Sequence, residues 1–241
     1  MIGEFLELSL ASADPLESYA FWQRLGFVST PVGGAWPHRY AALTDGRIHV
    51  GVHAGAGRDE FAGPTLTFVR PRLLDLVPQL ESLGIEIELC RLGGDEFNQL
   101  GFRDPDEQWV CVVEARTFSP HPEPPVQSRL GWFGEYRMPV RSAQDSARFW
   151  ERIGFLAGPH ARQPDAQLLA ATGINLGAHE ERALRAPALA FYEDGIGARL
   201  DALRESGIEA TRVSRTREGA VERAELKTPE GLTLLLIEGQ L

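Results

Sequence analysis

The residues of this 241-residue chain best able to do chemistry are six histidines, two cysteines and a few polar side chains set among apolar ones. Cys90 and Cys111 stand apart, with no C-x-x-C spacing, which indicates neither a thiolate zinc site nor a disulfide framework. Cys111, inside an apolar stretch, reads as a small buried hydrophobe. His49 and His53 are four residues apart in a segment whose alternation puts both on one strand face, and Asn175 and His179 repeat that placement later in the chain. His49, mid-strand, suits a ligand contact or a structural role equally. His53 and His179, at strand ends before polar loops, are expected to be exposed or capping. Phe5 and Glu7 share a face of the first strand, Glu135 and Arg137 share a face of its later copy, and Trp109 shares one with Cys111. Trp109 and Phe5 are large anchors that suit either a core or a pocket. Glu135 and Arg137 form either a solvent-facing charge pair or a polar recognition pair. Dinucleotide-binding, Walker and nucleophile-elbow patterns are absent, so nucleotide cofactors and nucleophilic hydrolysis have no support.

The elements that must position these residues come in copies. Glu17 through Phe27 matches Asp145 through Phe155, with Ser, Phe, Trp, Arg, Gly and Phe identical in register. Weaker echoes pair Gly51-Val52-His53 with Gly177-Ala178-His179 and Pro105–Glu114 with Pro229–Glu238. Between the copies, Ser119 to Pro125 holds four prolines in seven residues, which forbids helix. The duplication therefore divides the chain into residues 1–116, a proline-rich linker 117–130, and residues 131–241.

Inside each half the period switches in a fixed order. Leu6, Leu8 and Leu10 alternate with Phe5, Glu7 and Ser9, predicting a strand with the leucines under a helix and the alternate residues on the open face. Asp14 then caps a helix with Pro15 at its first position, and Gly26 ends it. Tyr40–Thr44 and Arg47–His53 predict a hairpin around Asp45-Gly46. Thr65–Val69 restarts the pattern, followed by a helix near Leu73–Leu83 and strands at Ile85–Leu89, Leu100–Arg103 and Gln108–Glu114. The second half repeats it with helices near Ala143–Ile153 and Ile196–Ser206. Each half is thus a doubled βαβββ unit, and the expected class is α+β with four such modules. Two loops, Gly33 to Arg39 and Gly93 to Asn98, carry aromatic and polar residues beside glycines and suit either lids or surface loops.

Charge narrows the partners. With 24 basic and 34 acidic residues the formal charge is −10, which argues against nucleic acid. No window approaches the ~18 apolar residues of a membrane span, and the Met1–Glu7 start lacks a basic leader, so a cytoplasmic protein is expected.

The block Phe21-Trp22 to Leu25-Gly26-Phe27, its copy Phe149-Trp150 to Ile153-Gly154-Phe155, the hairpin Leu43-Thr44-Asp45-Gly46 and the turn Phe102-Arg103-Asp104-Pro105-Asp106 together resemble the vicinal oxygen chelate superfamily. That group includes glyoxalase I, bleomycin-resistance proteins and extradiol dioxygenases. The resemblance implies two tandem domains, each curling a sheet around a cleft where active members hold a divalent metal. Carried over onto this sequence, the ligand positions fall at Phe5 and Glu135 in the first strands, near Thr65 and Ala188, and at Cys111 and Leu235. At most one plausible ligand per half survives, whereas a catalytic metal needs about three. The expectation is therefore a metal-independent, glyoxalase/bleomycin-resistance-like protein with no cofactor, binding a small, partly apolar molecule as a monomer or weak homodimer. Its ligand-facing residues would be Phe5, Glu7, His49, His53, Trp109, Cys111, Glu135, Arg137, Asn175 and His179. The alternatives are a metal-dependent lyase, isomerase or dioxygenase with displaced ligands, such as His49, His53 or His179 with Glu135, and a non-catalytic scaffold. Whether the chain is an enzyme stays open at this point.

Overall fold

The computed structural model describes residues 2–30, 39–55, 63–94, 97–115 and 128–241. The first half runs β1 (Glu4–Ser12), α1 (Pro15–Arg24), β2 (Val28–Ser29), β3 (Tyr40–Thr44), β4 (His49–Ala54), β5 (Thr65–Arg70), a 3-10 turn (Leu73–Leu76) leading into α2 (Val77–Ser82), β6 (Leu89–Arg91), β7 (Gln99–Arg103) and β8 (Trp109–Glu114). The second runs β9 (Trp132–Pro139), α3 (Ala143–Arg152), β10 (Leu156–Pro159), β11 (Ala166–Ala171), β12 (Ile174–His179), β13 (Ala188–Glu193), α4 (Ile196–Glu205), β14 (Arg212–Arg215), β15 (Val221–Lys227) and β16 (Thr233–Glu238). The class is α+β, as expected. Each half forms an eight-stranded sheet, in the orders β2-β3-β4-β1-β5-β8-β7-β6 and β10-β11-β12-β9-β13-β16-β15-β14. No helix among the described residues is long and apolar enough to cross a membrane.

The modules join through their first strands. β1 runs antiparallel to β5 and parallel to β4, and β9 repeats this with β13 and β12. Local signals explain the ends of the elements. The Asp14 carboxylate accepts from the amides of Leu16 and Glu17 and fixes the start of α1. Asp45 Oδ1 accepts from Arg47 and Ile48 amides at 2.9 Å and closes the predicted hairpin. The second strand of the second module lies at Leu89–Arg91, past the predicted Ile85–Leu89, and β2, β10, β14 and β15 went unforeseen. β2, β6, β10 and β14 are short, and β15 is largely charged, so period-two apolar alternation is faint in all of them.

The helix-side faces form the main core. Trp22 stacks edge-on against Phe27, and its copy Trp150 against Phe155, both at 4.8 Å between ring centroids. This core is continuous across the halves. Phe68 meets Phe155, the Trp150 indole donates to Asp104 Oδ2 at 3.2 Å, and Tyr136 Oη donates to Gln108 Oε1 at 2.8 Å. Leu130, expected in the linker, is fully buried in that core. Residues 117–127 of the linker, most of the 33–39 loop, and Asp95 and Glu96 lie outside the described residues.

One expectation fails at the start of β1. The register shifts between Phe5 and Glu7, inserting a bulge that turns Phe5 to the helix side, against Phe68 at 5.7 Å. Leu6 goes to the other face, beside Val69, Cys111 and Val113. Phe5 is therefore a core residue and does not face the cleft.

Candidate functional site

On the open face of the second sheet the central strand β9 projects Glu135 and Arg137, and β12 ends in His179 beside it. All three are buried, as is His160 from the loop after β10. Glu135 gathers donors from every side. Arg137 Nε and Tyr192 Oη each lie 2.7 Å from its Oε1, His160 Nε2 lies 3.2 Å from the same oxygen, and His179 Nε2 lies 3.2 Å from Oε2. Arg137 Nη2 also donates to Tyr192 Oη at 2.8 Å. Burial alone pushes the Glu135 carboxyl up. The hydrogen bonds from both histidines and the charges of His179 and Arg137 outweigh it and hold the group well below the usual carboxylate range. Burial and the Glu135 charge raise Tyr192, so its phenol stays a donor.

The proton positions follow from the outer partners. The Arg162 amide donates to His160 Nδ1 at 3.1 Å, so the proton of a neutral His160 ring sits on Nε2 and points at Glu135. His179 Nδ1 faces Gln163 Oε1 at 2.5 Å, and since that oxygen can only accept, Nδ1 donates. Gly177 completes the construction: a Cβ there would fall onto Glu135 Oε2 and His179 Nε2, so only glycine leaves room for the pair.

Among the described residues Glu135, His160 and His179 form the one group of three potential metal ligands whose ligand atoms lie within 4.8 Å of one another. This corrects the expectation of at most one ligand per half. The 3.2 Å spacings of Glu135 suit ligands about 2.0–2.2 Å from a cation. The proton arrangement does not: His160 presents a donor toward the centre, and the Arg137 guanidinium already occupies the carboxylate. The second-module positions offer nothing more, since Ala188 and Leu235 lie in an apolar patch with Leu184, Ala190 and Tyr192.

The first half holds the same pair in different surroundings. His53 Nε2 lies 2.6 Å from Glu7 Oε1, Ser9 Oγ donates to that oxygen at 2.9 Å, and Ser9 shares a 2.7 Å hydrogen bond with Thr67. Tyr40 stacks on His53 at 5.2 Å. A Cβ on Gly51 would strike the Glu7 carboxylate, as one on Gly177 would strike Glu135. Strand register makes Glu7, not Phe5, the counterpart of Glu135, because Leu8 pairs with Leu66 and Val50 as Tyr136 pairs with Leu189 and Leu176. Ser9 then replaces Arg137.

Of the remaining expected site residues, His53 and His179 prove buried, against the expectation of exposed or capping histidines. His49 is half-buried at the start of β4. Asn175 is tied to the chain, its amide donating to the Gly134 carbonyl. Cys111 packs with Val69 and Val113. Trp109 lies across Gly101 under the Arg103 guanidinium and lines a recess of about 380 Å³ where the halves meet. That recess shares Asp106, Glu107, Pro139 and Arg185 with an open groove of about 660 Å³ that reaches His179. His160 was missed because its loop carries no periodic signal.

Solved structures share this fold. A catechol 2,3-dioxygenase matches at 15% identity over 98% of this chain and 88% of that one, with a TM-score of 0.58. Homoprotocatechuate 2,3-dioxygenase from Brevibacterium fuscum matches at 14% over 99% and 72%, with a TM-score of 0.58. The 2,2',3-trihydroxybiphenyl 1,2-dioxygenase of Sphingomonas wittichii matches at 14% over 99% and 91%, again at 0.58. At these identities the likeness is one of fold, the two-sheet architecture of extradiol dioxygenases. No protein-family model matches the sequence, and neither does any curated protein sequence.

Proposed function

We propose that this chain uses the extradiol-dioxygenase-like fold to bind a small, partly apolar organic molecule without a resident metal, in the groove that reaches His179. The observation that carries the reading is the closed hydrogen-bond shell of Glu135. Arg137 supplies the positive charge that a divalent cation would bring, Tyr192 and His160 fill the same oxygen, and His179 takes the other. A metal added there would stand beside a buried guanidinium, an arrangement that Coulomb repulsion opposes. Fold likeness lends support by analogy alone, since the neighbours are named as dioxygenases of small aromatic molecules.

A second reading is favoured by the 3.2 Å spacings: a divalent cation held by Glu135, His160 and His179. It requires the His160 ring to give up either its Nε2 proton or its bond from Arg162. Metal analysis of protein purified without chelators, with a thermal-shift screen of small aromatic acids, alcohols and amines, separates the two. We expect no stoichiometric transition metal and stabilisation by at least one compound class. Stoichiometric iron, manganese or zinc that disappears in His179→Ala would establish the second reading instead.

A further inference from the structure

The groove beside His179 has a charge pattern that specifies its occupant. Four carboxylates line it, and each has a basic group or an amide within 4 Å. Asp106 Oδ1 accepts from the Arg141 amide and Nε at 3.0 and 3.1 Å. Glu107 faces Arg103 Nε at 3.8 Å. Glu181 Oε1 accepts from Arg223 at 3.1 Å, and its buried Oε2 stands 3.9 Å from Arg137 without a hydrogen bond. Glu180 Oε1 accepts the Ala143 amide at 2.7 Å, at the N-terminal end of α3 where the helix dipole favours a negative charge. Of the three arginines on the wall, Arg141 is spent on Asp106. Arg182 and Arg185 are exposed, and neither has an ion-pair or hydrogen-bond partner among the described residues. They flank Leu184, which is buried, and Pro139 and Val140 continue the apolar wall. On a chain of net charge −10, two guanidiniums without partners among the described residues share this one groove.

We propose that the groove takes an anionic organic molecule, a carboxylate with an aromatic or aliphatic body, whose charged group is clamped by Arg182 and Arg185 and whose body lies on Leu184, Pro139 and Val140 toward His179. This rests on the ligand-binding reading above and adds the ligand's charge to it. Guanidinium forks pair with carboxylates through parallel, charge-assisted hydrogen bonds, which are stronger than neutral ones. A neutral or cationic analogue of the same shape forgoes them, and a cation would also meet the two arginines directly.

Calorimetric titration with benzoate and phenylacetate, against benzamide, benzylamine and inorganic phosphate, tests the assignment. We expect the two carboxylates to bind, with at least a tenfold preference over benzamide and no detectable benzylamine binding. The Arg182→Gln/Arg185→Gln variant should lose that preference while its unliganded melting temperature stays at the parent value, since both side chains are exposed and unpaired. Arg182→Glu/Arg185→Glu should invert the preference toward benzylamine. Benzamide or benzylamine binding as tightly as benzoate, or a double variant that keeps benzoate affinity, overturns the charge assignment and leaves the groove as a ligand site. Phosphate binding as tightly as benzoate overturns the role of the apolar wall. Binding of none of the five removes this assignment, and no stabilisation across the wider screen described above removes the ligand-binding reading as well.

Discussion

A carboxylate without solvent must be compensated or protonated, and Glu135 is compensated by a guanidinium, a phenol and two imidazoles. Glu135→Gln leaves Arg137 buried without its counter-charge and should cost about 3–5 kcal/mol, as should Arg137→Met from the other side. The double variant Glu135→Gln/Arg137→Met should recover a large part of that loss, because neither member of the pair is left buried without the other. Urea unfolding of all four proteins measures the coupling, and strictly additive costs would show the pair to be uncoupled. Two acids give opposite pH signatures. The lowered Glu135 contributes stability that is present above its unfolded value of 4.5 and lost as pH falls into the acid range. Asp104, pushed by burial from 3.8 up to about 6, contributes stability that is full below 3.8 and lost as pH rises through 6, about 3 kcal/mol in all. Asp104→Asn should therefore flatten the fall in urea midpoint between pH 4 and 6, and an unchanged slope in the variant would dismiss Asp104 as its source. Glu7, His53, Glu135, Arg137 and His179 were legible from alternation alone, since period two settles which side chains share a face. His160 was not, because a loop has no period.

At the scale of elements, Gly177 and its counterpart Gly51 leave room for a buried carboxylate that a Cβ would strike. Gly177 sits on β12 opposite the Glu135–His179 contact, and any Cβ displaces both groups. Gly177→Ala should cost about 1–3 kcal/mol through that displacement. Gly158→Ala on β10 is the control: nothing lies within 4 Å of the added carbon, and the change should stay within about 0.5 kcal/mol of the parent. Thermal or urea melts of the pair decide this, and equal effects would mean that the network tolerates the intrusion. The bulge in β1 shows where pattern reading fails. A single inserted residue exchanges the faces of everything before it, which sent Phe5 to the core and Leu6 to the open face. Apolar residues on both faces gave no cue for the shift.

Across the whole molecule, the two sheets share one continuous core and are tied by Trp150 to Asp104, Tyr136 to Gln108 and the Ile2 amide to the Ile153 carbonyl. Separating the halves would expose Phe68 and Phe155 together. Unfolding should therefore follow a single transition, with calorimetric and van't Hoff enthalpies equal, and two resolved transitions would show that the halves fold independently. The sequence by itself determined the fourfold βαβββ repeat, the α+β class and the faces of most strands, because repeats and alternation are local and survive in one dimension. It also matched His53 with His179, but it set Phe5 rather than Glu7 opposite Glu135, and the strand register corrected that. Only the tertiary structure decided that His160, Arg137 and Tyr192 converge on Glu135, that the pairs are buried, and that Arg182 and Arg185 are left over in a groove. Those facts depend on which strands become neighbours and which charges meet, and electrostatic pairing between residues 25 to 57 positions apart leaves no periodic trace along the chain.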